Sequence, residues 1–118
     1  MIVDDSDDVR EIVRFVLDVK GYRVVEAVNG QEAVKIARTQ CPNLILMDLS
    51  MPVLDGFGAV RGIREIAEMW DVPIIAISAH NTTDHRVKAF DVGFNDYLTK
   101  PIDFGRLVDL IQRLLQAA

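Results

Sequence analysis

Five polar residues sit directly after short runs of strand-like sequence: Asp4 and Asp5 after Met1–Val3, Asp48 after Leu44–Met47, Ser78 after Pro73–Ile77, and Lys100 after Asp96–Thr99. Alone, each reads as a turn former or helix cap, the common fate of an Asp that ends a strand. Together they make a reactive set of three carboxylates, a hydroxyl and an ammonium. Three carboxylates on one rim repel each other by about 4 kcal/mol per pair at about 4 Å and an effective dielectric near 20. A hard divalent cation offsets that repulsion, and magnesium typically takes one or two carboxylates, keeps several waters and fills the remainder with phosphate oxygens. Lys100 can then pair with a phosphate as a point charge while the Ser78 hydroxyl donates to another oxygen. Asp48 is the natural nucleophile of such a rim, because a carboxylate can form an acyl phosphate while the metal neutralises developing charge.

These residues need a scaffold that brings distant strand ends together. The chain repeats one pattern five times, a short run followed by a segment with helical spacing. The runs are Met1–Val3, Tyr22–Ala27, Leu44–Met47, Pro73–Ile77 and Asp96–Thr99. This rhythm predicts a doubly wound α/β domain with a five-stranded parallel sheet between two helical layers. Leu44–Met47 and Ile74–Ile77 are apolar throughout, as suits central strands covered on both faces, whereas the more polar second and fifth runs suit edges. Val9, Ile12, Val13, Val16 and Leu17 form one helical stripe, and Leu107, Leu110, Ile111, Leu114 and Leu115 another. Ser6 or Asp7 caps the first helix and Gly21 follows its end. Asn29-Gly30 turns into a helix over Gln31–Thr39, Gly93 ends the fourth helix, and Asp103 precedes the last. In an open parallel α/β sheet ligands bind outside the carboxyl ends of the strands, at the switch point in strand order, where all five polar residues would meet.

Composition narrows the function. With 118 residues, half of them hydrophobic and 26% charged, the chain is sized for one globular domain spanning 1–118. A net charge of −5 argues against a nucleic-acid surface, which runs on clustered Lys and Arg. No apolar run approaches the length of a membrane span, and the N-terminus lacks a basic-then-apolar signal, so the expectation is a cytoplasmic protein. One cysteine, Cys41, cannot form an internal disulfide. The chain ends with its last helix, as a stand-alone switch or a piece excised from a larger regulator would.

Four motifs now stand out: Val3-Asp4-Asp5; the stretch Asp48-Leu49-Ser50-Met51-Pro52-Val53-Leu54-Asp55-Gly56; Ile77-Ser78-Ala79; and Tyr97-Leu98-Thr99-Lys100-Pro101. Over nearly its whole length the sequence resembles the receiver domains of two-component response regulators, including the chemotaxis type. The resemblance implies a flavodoxin-like sheet of order 2-1-3-4-5. It implies a phosphoprotein switch, not an enzyme, in which Asp48 takes a phosphoryl group from a phosphohistidine on a sensor kinase or phosphotransfer protein. Asp5, Asp48 and the backbone carbonyl of Ser50 would hold Mg2+, with Asp4 acting through water. Lys100, Ser78 and Ala79 would contact the phosphate, and Tyr97 would turn inward behind it. Ser50 and His80 would flank the path of the water that ends the phosphorylated state. A cis Lys100–Pro101 peptide is also implied. The signal would leave through the face of helix 4, strand 5 and helix 5 to an effector protein or output domain, in some members through a phosphorylation-dependent dimer. The first run is shorter than the family's usual first strand, and Ser78 stands where many members have threonine.

Rival readings fare less well. A flavodoxin-type electron carrier would need a hydroxyl- and glycine-rich phosphate loop where this chain has Asp4-Asp5-Ser6-Asp7-Asp8. A haloacid-dehalogenase-type phosphatase places a general acid two residues after its nucleophile, and here that position is Ser50. The remaining conspicuous residues read as structural: Trp70 and the methionines Met47, Met51 and Met69 as packing, His85 as a solvated helix residue, Cys41 as core or loop, and Asp55-Gly56 as the turn into the third helix.

Overall fold

Side-chain alternation along the strands divides the interior into two layers. The computed structural model describes residues 1–51, 54–80 and 82–116; Pro52 and Val53 of the stretch after Asp48 lie outside the described residues. The elements are β1 (Ile2–Val3), α1 (Asp7–Val19), β2 (Glu26–Ala27), α2 (Gly30–Gln40), β3 (Ile45–Asp48), α3 (Gly56–Arg64), β4 (Ile74–Ser78), α4 (Thr83–Val92), β5 (Asp96–Thr99) and α5 (Phe104–Gln116). All strand pairs are parallel, and the order is β2-β1-β3-β4-β5. Val3, Ile45, Met47, Ile74, Ala76 and Tyr97 face one core with Ala33 and Ala37 of α2, Val60 and Ile63 of α3, and Ala89 of α4. The alternate residues Ile2, Leu46, Ile75, Ile77 and Leu98 face the other core, closed by Val13 and Leu17 of α1 and Leu107, Leu110 and Ile111 of α5. This is the period of two expected of strands, and it yields the three-layer, flavodoxin-like fold.

The helix starts follow the capping chemistry. Ser6, Asn29, Asp55 and Thr82 each accept a backbone N–H three residues on, from Val9, Glu32, Gly58 and His85 respectively, and Asp103 does the same for Arg106. Gly21 and Gly93, at φ +88° and +122°, follow α1 and α4 as C-terminal glycines should. Cys41 closes α2 in the left-handed region at φ +46°, an arrangement its sequence neighbourhood does not advertise.

Three expectations need correction. The second strand is Glu26–Ala27, not Tyr22–Ala27, because β1 offers only two residues to pair with it. Trp70 does not pack: it is 70% exposed, since the 3-10 turn Ala67–Met69 points Met69 into the core in its place. His85 is not simply solvated. Its ring meets Phe57 edge-on at 5.5 Å and Tyr97 at 6.2 Å.

Candidate functional site

The carboxyl ends of β1, β3 and β4 share one local device. Asp4 Oδ1 accepts the N–H of Ser6 at 2.9 Å, Asp48 Oδ1 that of Ser50 at 3.1 Å, and Ser78 Oγ that of His80 at 3.0 Å. Each side chain thus turns back on the amide two residues later, which bends the chain off the sheet and leaves the remaining oxygen of Asp4 and Asp48 aimed across the rim. The three acids converge: the carboxylates of Asp4, Asp5 and Asp48 each offer an oxygen, and these atoms lie within 4.8 Å of one another. Asp4 and Asp48 are buried and Asp5 is exposed.

Lys100 reaches the cluster from the end of β5, its Nζ 3.4 Å from Asp48 Oδ2 and 3.7 Å from Asp4 Oδ2. Its backbone N–H donates to Ser78 O at 2.8 Å, which docks the start of the loop after β5 on the end of β4. The Lys100–Pro101 peptide is cis. Burial is the main cause that raises the Asp4 pKa, with the charges of Asp48 and Asp5 adding to it, while the Ser6 N–H and Lys100 oppose them. Oxygen donors of this hardness suit magnesium, and the crowding of negative charge supplies a reason for a cation to bind.

The other sequence-predicted residues lie around this cluster. Ser78 is buried, Ala79 and His80 are exposed beside it, and Ser50 is exposed beside Asp48. Tyr97 is buried, and its hydroxyl donates to His80 O at 2.7 Å. The His80 and His85 rings lie 4.8 Å apart, and His85 Nε2 is shielded with no hydrogen-bond partner among the described residues. Burial is the larger cause that lowers the His85 pKa, followed by the charges of His80 and Lys88. Gly56 is set by close approach: a Cβ there would meet Asp48 O at 2.6 Å and Leu49 Cα at 2.8 Å, so α3 seats against the backbone of Asp48 and Leu49 only through glycine. A cavity lined by Leu17, Val24, Cys41 and Leu115 opens at the opposite end of the sheet and holds none of these groups.

Sequence reasoning missed Arg10. It occupies the inward face of α1 with Val13 and Leu17, and is buried. Its Nη1 donates to Asp4 O at 2.6 Å and its Nε to Glu26 Oε1 at 3.2 Å. The available signal was the 10, 13, 17 spacing, which puts a charge on a core-facing stripe.

A fold and rim of this kind define a receiver domain, and the comparisons agree. The model of the response-regulator receiver domain matches residues 1–112, so the chain belongs to that family of two-component response regulators. The transcriptional regulatory protein PrrA of Mycobacterium tuberculosis is 37% identical over 116 residues, covering 98% of this chain and 49% of PrrA, so this chain spans about half the length of that relative. The receiver domain of the Pseudomonas aeruginosa sensor histidine kinase PA1611, solved with magnesium in its active-site cleft, aligns with TM-score 0.91 and 36% identity, covering 98% of this chain and 95% of that one. Vibrio cholerae chemotaxis protein CheY4 aligns with TM-score 0.91 and 30% identity over 96% of this chain and 94% of its own. Among the described residues no helix is long and apolar enough to cross a membrane.

Proposed function

We propose that the domain is a phosphoacceptor switch in which Asp48 takes a phosphoryl group from a phosphohistidine of a sensor kinase or phosphotransfer protein. An Asp48 oxygen attacks phosphorus as the phosphorus–nitrogen bond breaks, and the donor imidazole leaves with the bonding pair. The observation that carries this reading is the placement of Lys100 Nζ 3.4 Å from Asp48 Oδ2, within a cluster of three converging carboxylates. Asp5, Asp48 and the Ser50 carbonyl would hold Mg2+, with Asp4 acting through water; when bound, the ion supplies neutralisation of charge on the transferring phosphoryl group. Lys100 pairs with the phosphate, the Ser78 hydroxyl and the Ala79 N–H donate to its oxygens, and Tyr97 follows Ser78 inward.

The α4–β5–α5 face is the proposed output, read by an effector protein, an output domain or a second copy of the chain. Its support is energetic. Among the described residues α4 contributes only Ala89 to the fully buried set, while Val87 and Phe90 stay exposed. An element with so little buried apolar surface is cheap to move.

Acetyl phosphate with Mg2+, read by intact-mass spectrometry, tests the assignment. The wild type should gain one phosphate and Asp48→Asn none, because the amide offers no anionic nucleophile. Equal labelling of the two would remove Asp48 from the role.

A further inference from the structure

We infer that Arg10 is a positioning residue for magnesium, a role that rests on the receiver reading of the acid cluster. The carbonyl that receives Arg10 Nη1 at 2.6 Å belongs to the peptide between Asp4 and Asp5. Fixing that peptide plane fixes ψ of Asp4 and φ of Asp5, and so the direction in which the Asp5 side chain leaves the backbone. Asp4 is held on its other sides by its own N–H, which donates to Ala27 O at 3.2 Å, and by the Ser6 N–H on Oδ1 at 2.9 Å. Asp5 is exposed, and among the described residues no hydrogen bond or ion pair of its own orients its carboxylate, which leaves the peptide behind it to do so.

The guanidinium is in turn anchored at two further points. Nε donates to Glu26 Oε1 at 3.2 Å, and Nη2 bonds to Asp7 at the start of α1. Glu26 is also held from the outside by Arg14, whose Nη1 donates to Oε2 at 2.5 Å. The chain Arg14–Glu26–Arg10–Asp4 O therefore runs from the edge strand β2, across the base of α1, to the acid loop. Planar, multiply bonded guanidinium serves this purpose where an ammonium would not.

Two effects of Arg10 oppose each other, which makes the inference decidable. As a buried cation on the backbone of the acid loop it disfavours a divalent cation, so its removal by charge alone would tighten Mg2+ binding. As a support behind ligand residues its removal loosens them, and loss of such outer support typically weakens metal affinity about 10–100-fold. The structure favours the second effect, because the carbonyl bond is direct and the guanidinium charge is already shared with Glu26 and Asp7.

The test is calorimetric titration of MgCl2 into the whole 118-residue wild type, Arg10→Met and Glu26→Ala, with metal-free amide spectra as the check on folding. Arg10→Met should bind Mg2+ at least about 10-fold more weakly, with metal-free amide shifts concentrated at Asp4 and Asp5, and Glu26→Ala should lose a smaller factor in the same direction. A folded Arg10→Met that binds as tightly as wild type, or tighter, overturns the inference. If Arg10→Met does not fold, Glu26→Ala decides, and a wild-type dissociation constant there overturns it. Failure of the wild type itself to bind Mg2+ would bring down the receiver reading and this inference with it, whereas binding by the wild type with no effect of either variant brings down this inference alone.

Discussion

The Tyr97 hydroxyl donates to the backbone carbonyl of His80 at 2.7 Å, and the same residue's N–H donates to Ser78 Oγ at 3.0 Å. One peptide segment thus joins the hydroxyl proposed to meet phosphate and the aromatic ring proposed to report it. Serine Oγ can accept from His80 and donate to a phosphate oxygen at once, so a pull on Ser78 is carried to the loop that holds Tyr97. Ser78→Ala should still accept phosphate from acetyl phosphate but show smaller amide shift changes at Tyr97 and in α4 on phosphorylation. Equal shift changes in mutant and wild type would exclude Ser78 from the coupling.

The carboxylate crowding has a stability signature, and it is centred on Asp4. Asp5 is exposed, whereas burial and the charges of Asp48 and Asp5 raise the Asp4 pKa above its ordinary value of 3.8. A raised folded pKa means the native state binds a proton more readily than the unfolded state, so the ionised carboxylate costs stability in full above the folded value. The cost fades as pH falls and is gone below 3.8, where both states are protonated. In EDTA, Asp4→Asn should therefore melt higher than wild type at neutral pH, and the advantage should shrink on acidification. Mg2+ should raise the wild-type melting temperature, by the equivalent of about 2.7 kcal/mol at 100 times its dissociation constant. A melting curve unmoved by Mg2+ would contradict the acid-cluster argument.

Arg64 predicts a different kind of loss. Its guanidinium donates to the carbonyls of Gly93 at 2.7 Å, Met69 at 3.0 Å and Val72 at 2.6 Å, and to Asn95 Oδ1 at 2.8 Å. It thereby ties the end of α3 to the loop before β4 and to the entry of β5. Arg64→Met would strand carbonyls that cost about 1–3 kcal/mol each when left unsatisfied, less where water reaches them, so a total near 3 kcal/mol is expected. Urea unfolding should show a midpoint lower by about 1.5 M at an unchanged m-value near 2 kcal/mol/M. A midpoint within a few tenths of wild type would mean that water replaces the guanidinium.

His80 bears on the lifetime of the phosphorylated state, which ends when water attacks phosphorus in line with the Asp48 oxygen. Phosphoryl transfer passes through a loose transition state in most accounts, so early deprotonation of water gains little, while occupying its place removes the reactive geometry. The exposed His80 ring, 4.8 Å from the His85 ring and tilted 42° to it, is positioned as a shield, whereas Ser50 on the other flank is small. His80→Ala should shorten the phospho-Asp48 lifetime after removal of the phosphodonor at fixed pH and Mg2+. A longer lifetime would identify the imidazole as an aid to hydrolysis.

Much of this protein was legible in its sequence because the relevant signals are local. Unbroken apolar runs at 44–47 and 74–77, caps at Ser6, Asn29 and Asp103, and glycines at 21 and 93 follow from composition, side-chain geometry and backbone sterics within a few residues. The position of the reactive set at strand ends is equally local, and the parallel sheet does the gathering. Tertiary structure decided what depends on distant neighbours. The length of β2 was set by the two residues of β1 beside it, the burial of Asp4 and exposure of Asp5 by which side of one peptide faces the rim, and the seating of His85 by Phe57 and Tyr97. The partners of Arg10 and Arg64 were not legible along the chain, although the 10, 13, 17 spacing does put Arg10 on the inward stripe of α1. Only the folded molecule brings carbonyls within reach of their guanidinium groups, because α1 must fold back on the end of β1 and α3 must lie beside the turn between α4 and β5.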